Sequence, residues 1–364
     1  MTVKVVMLMN SSTERNLFID MAKGVAVFLM LWGHCIQYCG GTNPVDFFGN
    51  PVFKTIYTFH MPLFALISGY LFFFSFSKRN LKELCIGRAK ALLQPILFCA
   101  VFSFLLVDVL LGLKAGDTSP FFTDKWTEYL SSLWFLWSIL AASVSVAILY
   151  KKCDHWVGRL LLLPLFMLLI RALPNGVHNQ FIFPFFVAGF LYAKYKERIP
   201  TYIHALRYAA IPLFPLMLCF YENKHYIYTT GLFSPSFTDT QMMGINLYRW
   251  GIGLVGSVFA LVILHGLYRF ARAKLHRTVL LDGLAAMGKD SLAIYALSVP
   301  LLSYYLPIVF PKVLALLQRD DLLVHNLYVY TFGVTLLVAA LYSFGLYWLI
   351  QLLKKIRVYP VLFG

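Results

Sequence analysis

Ten predominantly apolar stretches constrain this chain more than any other feature. They occupy residues 17–39, 56–77, 91–113, 130–150, 159–173, 181–195, 204–221, 243–267, 290–310 and 326–352. A helix needs about 20 mostly apolar residues to cross a bilayer, because every backbone polar group must be paired inside the segment. The chain is 60% hydrophobic and 13% charged, against roughly 45–50% and about 25% in soluble domains. These numbers predict an all-α, polytopic integral membrane bundle of about ten transmembrane helices. The fifth and sixth stretches are short and are bounded or interrupted by Pro164, Pro174 and Pro184, so kinks or a re-entrant segment are expected there.

The basic residues set an orientation. One set of alternating loops carries 18 Lys and Arg, among them Lys78, Arg79, Lys151, Lys152, Arg272, Lys354 and Lys355, and the other set carries 7. Positive charge concentrates on the cytoplasmic side of membrane proteins, so both termini are expected there. The organisation that follows is a cytoplasmic segment 1–16, a transmembrane domain 17–353 and a cytoplasmic tail 354–364, in a multi-pass protein of the plasma (inner) membrane. The net charge of +15 is accounted for by those loops, and nucleic-acid binding is set aside. The cysteines, at 35, 39, 85, 99, 153 and 219, show no metal or disulfide spacing, and no metal site is expected. The first sixteen residues lack the apolar core of a cleaved signal peptide, so the first spanning helix is expected to act as the insertion signal.

That helix is unusual. Asp20, Lys23 and His34 interrupt it, and ionisable side chains within a span mark functional sites by default. At about 3.6 residues per turn the three share one stripe, with Val27, Met30 and Leu31 between them, and Lys23 lies roughly 16 Å from His34 along the axis. The opposite face is apolar and is expected to meet lipid. Orientation puts Lys23, Arg88 and Lys289 at an inner, basic level. His34, His60, Trp134 and Trp137 fall at an outer level.

Five sequence blocks carry a resemblance. They are Arg15, Asp20, Lys23-Gly24 and His34; Phe59 to Leu71 (FHMPLFALISGYL); Arg88 to Pro95; Trp134 to Leu136 (WFL); and Gly288 to Tyr295 (GKDSLAIY). Together they resemble the acyltransferase-3 family of membrane proteins, which O-acylate cell-surface carbohydrates. The chain departs from the family pattern in Lys23, where Arg is usual, in Asp290, where Asn is usual, and in Ser298, near the place of a common His. Some family members append an extracytoplasmic esterase-like domain, and none is expected in a chain of this length.

The resemblance implies transfer of an acyl group, often acetyl, from a cytoplasmic thioester such as acetyl-CoA to a hydroxyl. The acceptor is a glycan, its lipid-linked precursor, another lipid or a small molecule. Acyl-CoA is then a co-substrate, with no cofactor held permanently. Such chemistry needs a base, and a positioned His contributes about 10²–10⁴-fold. His34 is the candidate base, with Asp20 and His60 as its catalytic companions. Lys23 and Arg88 are candidates for the donor's phosphates, with Ser68, Ser291 and Tyr295 as further donor contacts. Trp134, Trp137 and Arg249 are candidates for the acceptor. Each has a plainer reading: Lys23 neutralising Asp20, Arg88 meeting lipid headgroups, His60 capping its helix, Trp134 anchoring at the interface, Arg249 snorkelling. A transporter of an anionic or sugar solute is the competing class. Transporters usually show repeated halves, and no repeat is visible here.

Overall fold

The computed structural model describes residues 16–39, 46–111, 122–230, 240–274, 279–316 and 326–363. Arg15 of the first motif, and the loop residues Lys114, Asp117, Asp239, Arg277, Arg319, Asp320 and Asp321, lie outside them. The described residues are mostly helical, with no strand among them.

The first three helices open alike. α1 (Leu17–Tyr38), α2 (Pro51–Lys78) and α3 (Leu81–Phe104) are preceded by Asn16, Asn50 and Asn80, whose side chains accept hydrogen bonds from first-turn amides. Asparagine is preferred at this place because it satisfies otherwise orphaned N–H groups. Pro51 at the start of α2 lacks the N–H that would be orphaned anyway. The chain continues through α4 (Phe122–Ser132), α5 (Trp134–Lys152), α6 (Trp156–Leu169), α7 (Gly176–Tyr195) and α8 (Thr201–Cys219). It ends with α9 (Thr240–Lys274), α10 (Val279–Lys289), α11 (Ser291–Pro300), α12 (Val329–Lys355) and the short α13 (Tyr359–Phe363).

Seven described helices are long and apolar enough to span a membrane: α1, α2, α3 with its π-helical extension to Val107, α5, α8, α9 and α12. The protein is therefore a polytopic helical membrane protein, as the apolar runs predict. The other three expected runs are helical too. α6 is only 14 residues, about 21 Å at 1.5 Å per residue, short of the roughly 30 Å hydrocarbon core. It reverses into α7 through Asn175, whose φ is 60°, a left-handed conformation that asparagine tolerates. Asn179 secures that reversal: its Nδ2 donates to the Ile170 and Pro174 carbonyls and its Oδ1 accepts from Ser138 on α5. The fifth and sixth stretches thus form a helical hairpin.

α1 corrects one expectation. Its apolar face is not open to lipid along its length: Ala22 and Ile36 on that face are 0% exposed and Val25, Leu29 and Trp32 are half-buried, because neighbours enclose it. α12 covers one side, where Trp32 Nε1 donates to Thr335 Oγ1 at 3.1 Å and Tyr330 Oη donates to the Ile36 carbonyl at 2.6 Å. α10 covers another, at a crossing made by two glycines. A Cβ on Gly24 would overlap the Leu284 carbonyl, and one on Gly288 would overlap the Asp20 carbonyl. α2 and α7 cross the same way, Gly69 against the Phe186 carbonyl and Gly189 against the Leu66 carbonyl. Small residues let membrane helices approach backbone to backbone. The lipid-facing surface falls instead on outer helices such as α6, α8 and α12, where Leu161, Leu216, Leu341 and Phe344 are exposed.

Candidate active site

A narrow cleft opens at the His34 end of the bundle. Tyr57, Thr58, His60 and Met61 of α2, Trp134 of α5, Arg249 and Ile252 of α9, and the segment 225–228 line it. Its free volume is about 30 Å³, room for one or two waters or a hydroxyl-sized group.

His60 is buried in its wall, and its Nδ1 lies 2.8 Å from the Ile56 carbonyl. A carbonyl only accepts, so Nδ1 carries the proton and Nε2 keeps a lone pair in the neutral ring. Tyr57, one turn earlier, has its ring 4.9 Å from that of His60. The Tyr57 hydroxyl lies 3.3 Å from His34 Nδ1. His34 is therefore set one side chain back from the cleft, behind Tyr57, with Tyr38 stacked on its ring at 5.8 Å. The two histidines predicted to share a level do share one, and a tyrosine bridges them.

Trp134 also lies where the sequence reading places it. Its indole meets His178 at 4.4 Å, His178 meets Tyr228 at 6.1 Å, and Tyr228 meets Tyr57 at 6.4 Å. These four side chains make an aromatic rim with polar tips, the composition of sites with one wet end. Trp137 is not among the cleft-lining residues. Its Nε1 donates to the Leu130 carbonyl at 2.8 Å, tying α5 to the end of α4.

Arg249 lines the cleft, but its fork is turned on the backbone. Nε donates to the His225 carbonyl at 2.8 Å, and Nη2 to the Lys224 and Tyr226 carbonyls at 2.9 Å each. Nη1 donates to Asn246 Oδ1 at 3.0 Å. The guanidinium holds the loop 224–226 as one wall of the cleft. His225 reinforces that wall by accepting the Glu222 backbone N–H at its Nδ1, 2.8 Å away. Burial holds the His225 imidazole below its ordinary value, and the Lys224 ammonium pushes the same way. Arg249→Met leaves buried carbonyls unpaired, each at about 1–3 kcal/mol. The expected result is a lower thermal midpoint in detergent and weaker acceptor saturation, with donor saturation unchanged.

The donor candidates sit elsewhere. Lys23 Nζ lies 3.5 Å from Asp20 Oδ1, beside the Gly24–Gly288 crossing, so the first and last motifs meet there. Asp20 is the more buried of the two, 6% exposed at the side chain against 18% for Lys23. Lys289 is exposed at the same crossing. Arg88, on α3, stands over the Phe72 ring at 4.9 Å. Ser68 is half-buried beside the Gly69 crossing, eight residues beyond His60 and so about 12 Å along α2. Tyr295 is buried edge-on to Phe135 at 6.2 Å, and Ser291 is half-buried at the start of α11. None of these seven lines the cleft.

The residue at 290 has a structural partner. Lys354 Nζ donates to both Asp290 carboxylate oxygens, at 2.7 and 2.6 Å, and Tyr359 Oη donates to Oδ1 at 3.1 Å. The acid standing where the family has Asn ties α12 and α13 to the late motif. Ser298 Oγ donates to the Tyr295 carbonyl at 2.9 Å.

A family model described as "Acyltransferase domain" matches residues 16–356, nearly the whole chain. The chain belongs to the acyltransferase-3 family. Among curated proteins it is similar to the nodulation protein NolL of Mesorhizobium japonicum, 30% identical over 187 residues, 50% of this chain and 49% of that protein. It is also similar to NolL of Sinorhizobium fredii, 29% identical over 194 residues, 51% of each. The matched region thus spans about half the length of these relatives. No solved structure matches.

Sequence reasoning missed Tyr57, Gln37, His178 and Tyr228. Two of them carried a signal: Gln37 follows His34 by three residues and Tyr57 precedes His60 by three, the spacing of neighbours on one helix face. His178 and Tyr228 reach the rim only through tertiary packing and had none.

Proposed function

We propose that this chain is a membrane O-acyltransferase of the plasma (inner) membrane. It moves an acyl group, acetyl in our reading, from cytoplasmic acyl-CoA to a hydroxyl of a cell-surface glycan or its lipid-linked precursor. The observation that carries the reading is the histidine pair at the cleft, joined by Tyr57 and rimmed by Trp134, His178 and Tyr228. Imidazole is suited to take a hydroxyl proton, and aromatic faces with polar tips suit a sugar. The cleft's small volume admits a single hydroxyl-bearing edge, with the rest of the acceptor on the rim. The family match over residues 16–356 supports the acyl-transfer part of this reading.

The donor side follows from α1. An unbroken helix separates Lys23 from His34 by about 16 Å, a span that an extended thioester arm can bridge with its phosphates at Lys23 and Lys289. Val27, Met30 and Leu31 between them are 0–2% exposed. Entry of the arm therefore requires α1 and its neighbours to part, and the transfer is expected to be gated.

The deciding experiment uses membranes carrying the full chain and radiolabelled acetyl-CoA. Covalent label on envelope glycan is expected with the wild type and is expected to vanish in His34→Ala. Label in lipid or small molecules alone would move the acceptor class. Absence of any transferred label, with solute uptake instead, would replace acyl transfer by transport.

A further inference from the structure

We propose that Gln37 and Tyr57 are positioning residues that hold His34 in its Nδ1–H tautomer and so leave Nε2 as the nitrogen that takes the acceptor's proton. The proposal rests on the reading of His34 as a base.

Gln37 Oε1 lies 3.3 Å from His34 Nδ1 and 3.5 Å from the Tyr57 hydroxyl. An amide oxygen has no proton, so both neighbours must donate to it. The Tyr57 O–H is then turned toward Gln37, and its oxygen offers a lone pair to His34 Nδ1 at 3.3 Å. His34 Nδ1 thus faces two acceptors, and a neutral imidazole has one N–H to give. These contacts are long, as orienting contacts in an unloaded site often are. The same logic operates at His60, where the Ile56 carbonyl fixes Nδ1–H. Both rings are left with Nε2 basic.

The packing around Tyr57 is built to hold its hydroxyl in place. Phe53 stacks on its ring at 3.8 Å. From α1, a Cβ at Gly33 would come within 2.7 Å of Tyr57 Cε2. The glycine preceding His34 is what lets the tyrosine ring lie against α1. Tyr38 on α1, Tyr57 and His60 on α2, Tyr330 and Tyr342 on α12, and Tyr228 are titratable neighbours of this part of α1 among the described residues. All are uncharged in their neutral forms.

In the step itself, with α1 and its neighbours parted so that the acceptor passes Tyr57 to reach His34, the acceptor O–H bond breaks and an Nε2–H bond forms, while the acceptor oxygen bonds the thioester carbon. The C–S bond then breaks, and the departing thiolate takes the proton back from His34 as free thiol. A ring locked as Nδ1–H can do this. The other tautomer presents an N–H where the acceptor needs a lone pair.

The test measures label transfer from radiolabelled acetyl-CoA to native envelope membranes, per folded protein as judged by detergent gel filtration. Gln37→Leu and Tyr57→Phe are each expected to lower the saturating rate about 10–100-fold, the range for removing the partner that orients a metal-bound histidine, with half-saturating acetyl-CoA unchanged. Gln37→Glu is expected to keep most of the rate, because a carboxylate accepts from Nδ1–H as the amide does. Loss in Gln37→Glu equal to that in Gln37→Leu overturns the tautomer, since only a ring with its lone pair at Nδ1 would be repelled. Wild-type rates in Gln37→Leu and Tyr57→Phe, with His34→Ala inactive, overturn the clamp and leave the base standing. A fully active His34→Ala removes both.

Discussion

His60→Ala is expected to lower the rate of acyl transfer about 10²–10⁴-fold, the range for a lost general acid or base. The expectation comes from position. His60 lines the cleft and His34 does not, so an acceptor hydroxyl entering the cleft meets the His60 side first. Its Nε2 is the free nitrogen, because the Ile56 carbonyl holds Nδ1–H. His34→Ala is expected to fall in the same range, and the double variant to fall little further than either single one. Residues that act as one unit are non-additive. Rates of label transfer from acetyl-CoA, with protein level and thermal midpoint followed in parallel, decide the matter. A His60→Ala enzyme at wild-type rate would remove His60 from the chemistry and leave it a helix residue bonded to its own turn. Strictly multiplicative losses would mean that the two rings act in separate steps, for instance one on the acceptor and one on the departing sulfur.

The fold was legible because the bilayer imposes it. A backbone with no water must pair within its own helix, so each apolar run became helix, including the two proline-bounded stretches. Their turn was not legible, because it depends on Asn179 reaching the Ile170 and Pro174 carbonyls. The polar stripe of α1 correctly marked Asp20, Lys23 and His34 as one helix face. The reading of its other face as lipid-exposed holds only in part, for a physical reason. In a bundle of this size an apolar face packs equally well on lipid or on other helices, and Ala and Gly on α1 favoured other helices. Arg249 is the clearest limit. An arginine near a helix end reads as an anion site or a snorkelling residue, and its use on three backbone carbonyls depends on a loop that folds back onto α9. Trp137 is a second case: its hydrogen bond to a carbonyl across the α4–α5 turn was not legible in the sequence. Gln37 and Tyr57 were visible as one-turn neighbours of the two histidines, but one-turn polar neighbours are common, and only the shared Gln37 oxygen gives this pair meaning.

Like Gly69→Ala and Gly189→Ala at the other glycine crossing, Gly24→Ala and Gly288→Ala are expected to be among the most destabilising single-methyl changes in the protein. At both positions the added carbon would sit inside a backbone carbonyl of the facing helix, and a backbone cannot turn aside as a side chain can. The helices must separate, and overpacking of this kind costs about 1–3 kcal/mol or more. A marginally stable fold holds only about 5–15 kcal/mol in all. The consequence reaches the chemistry, since this crossing carries Asp20 and Lys23 at one face and starts α11 at the other. The two glycines serve one contact, so once Gly24→Ala has widened it, Gly288→Ala adds little, and the pair should be sub-additive. Gly266 on α9 provides the control, with nothing within 4 Å of an added Cβ. Gly266→Ala is expected to be neutral or to stabilise by up to about 1 kcal/mol, since alanine favours the helix. Thermal unfolding of the purified protein in detergent reads the Gly24 and Gly288 variants, their pair and the Gly266 control. Equal midpoints for Gly24→Ala and Gly266→Ala would mean that α1 and α10 are not in backbone contact, and the Lys23 end of the bundle would have to be built some other way.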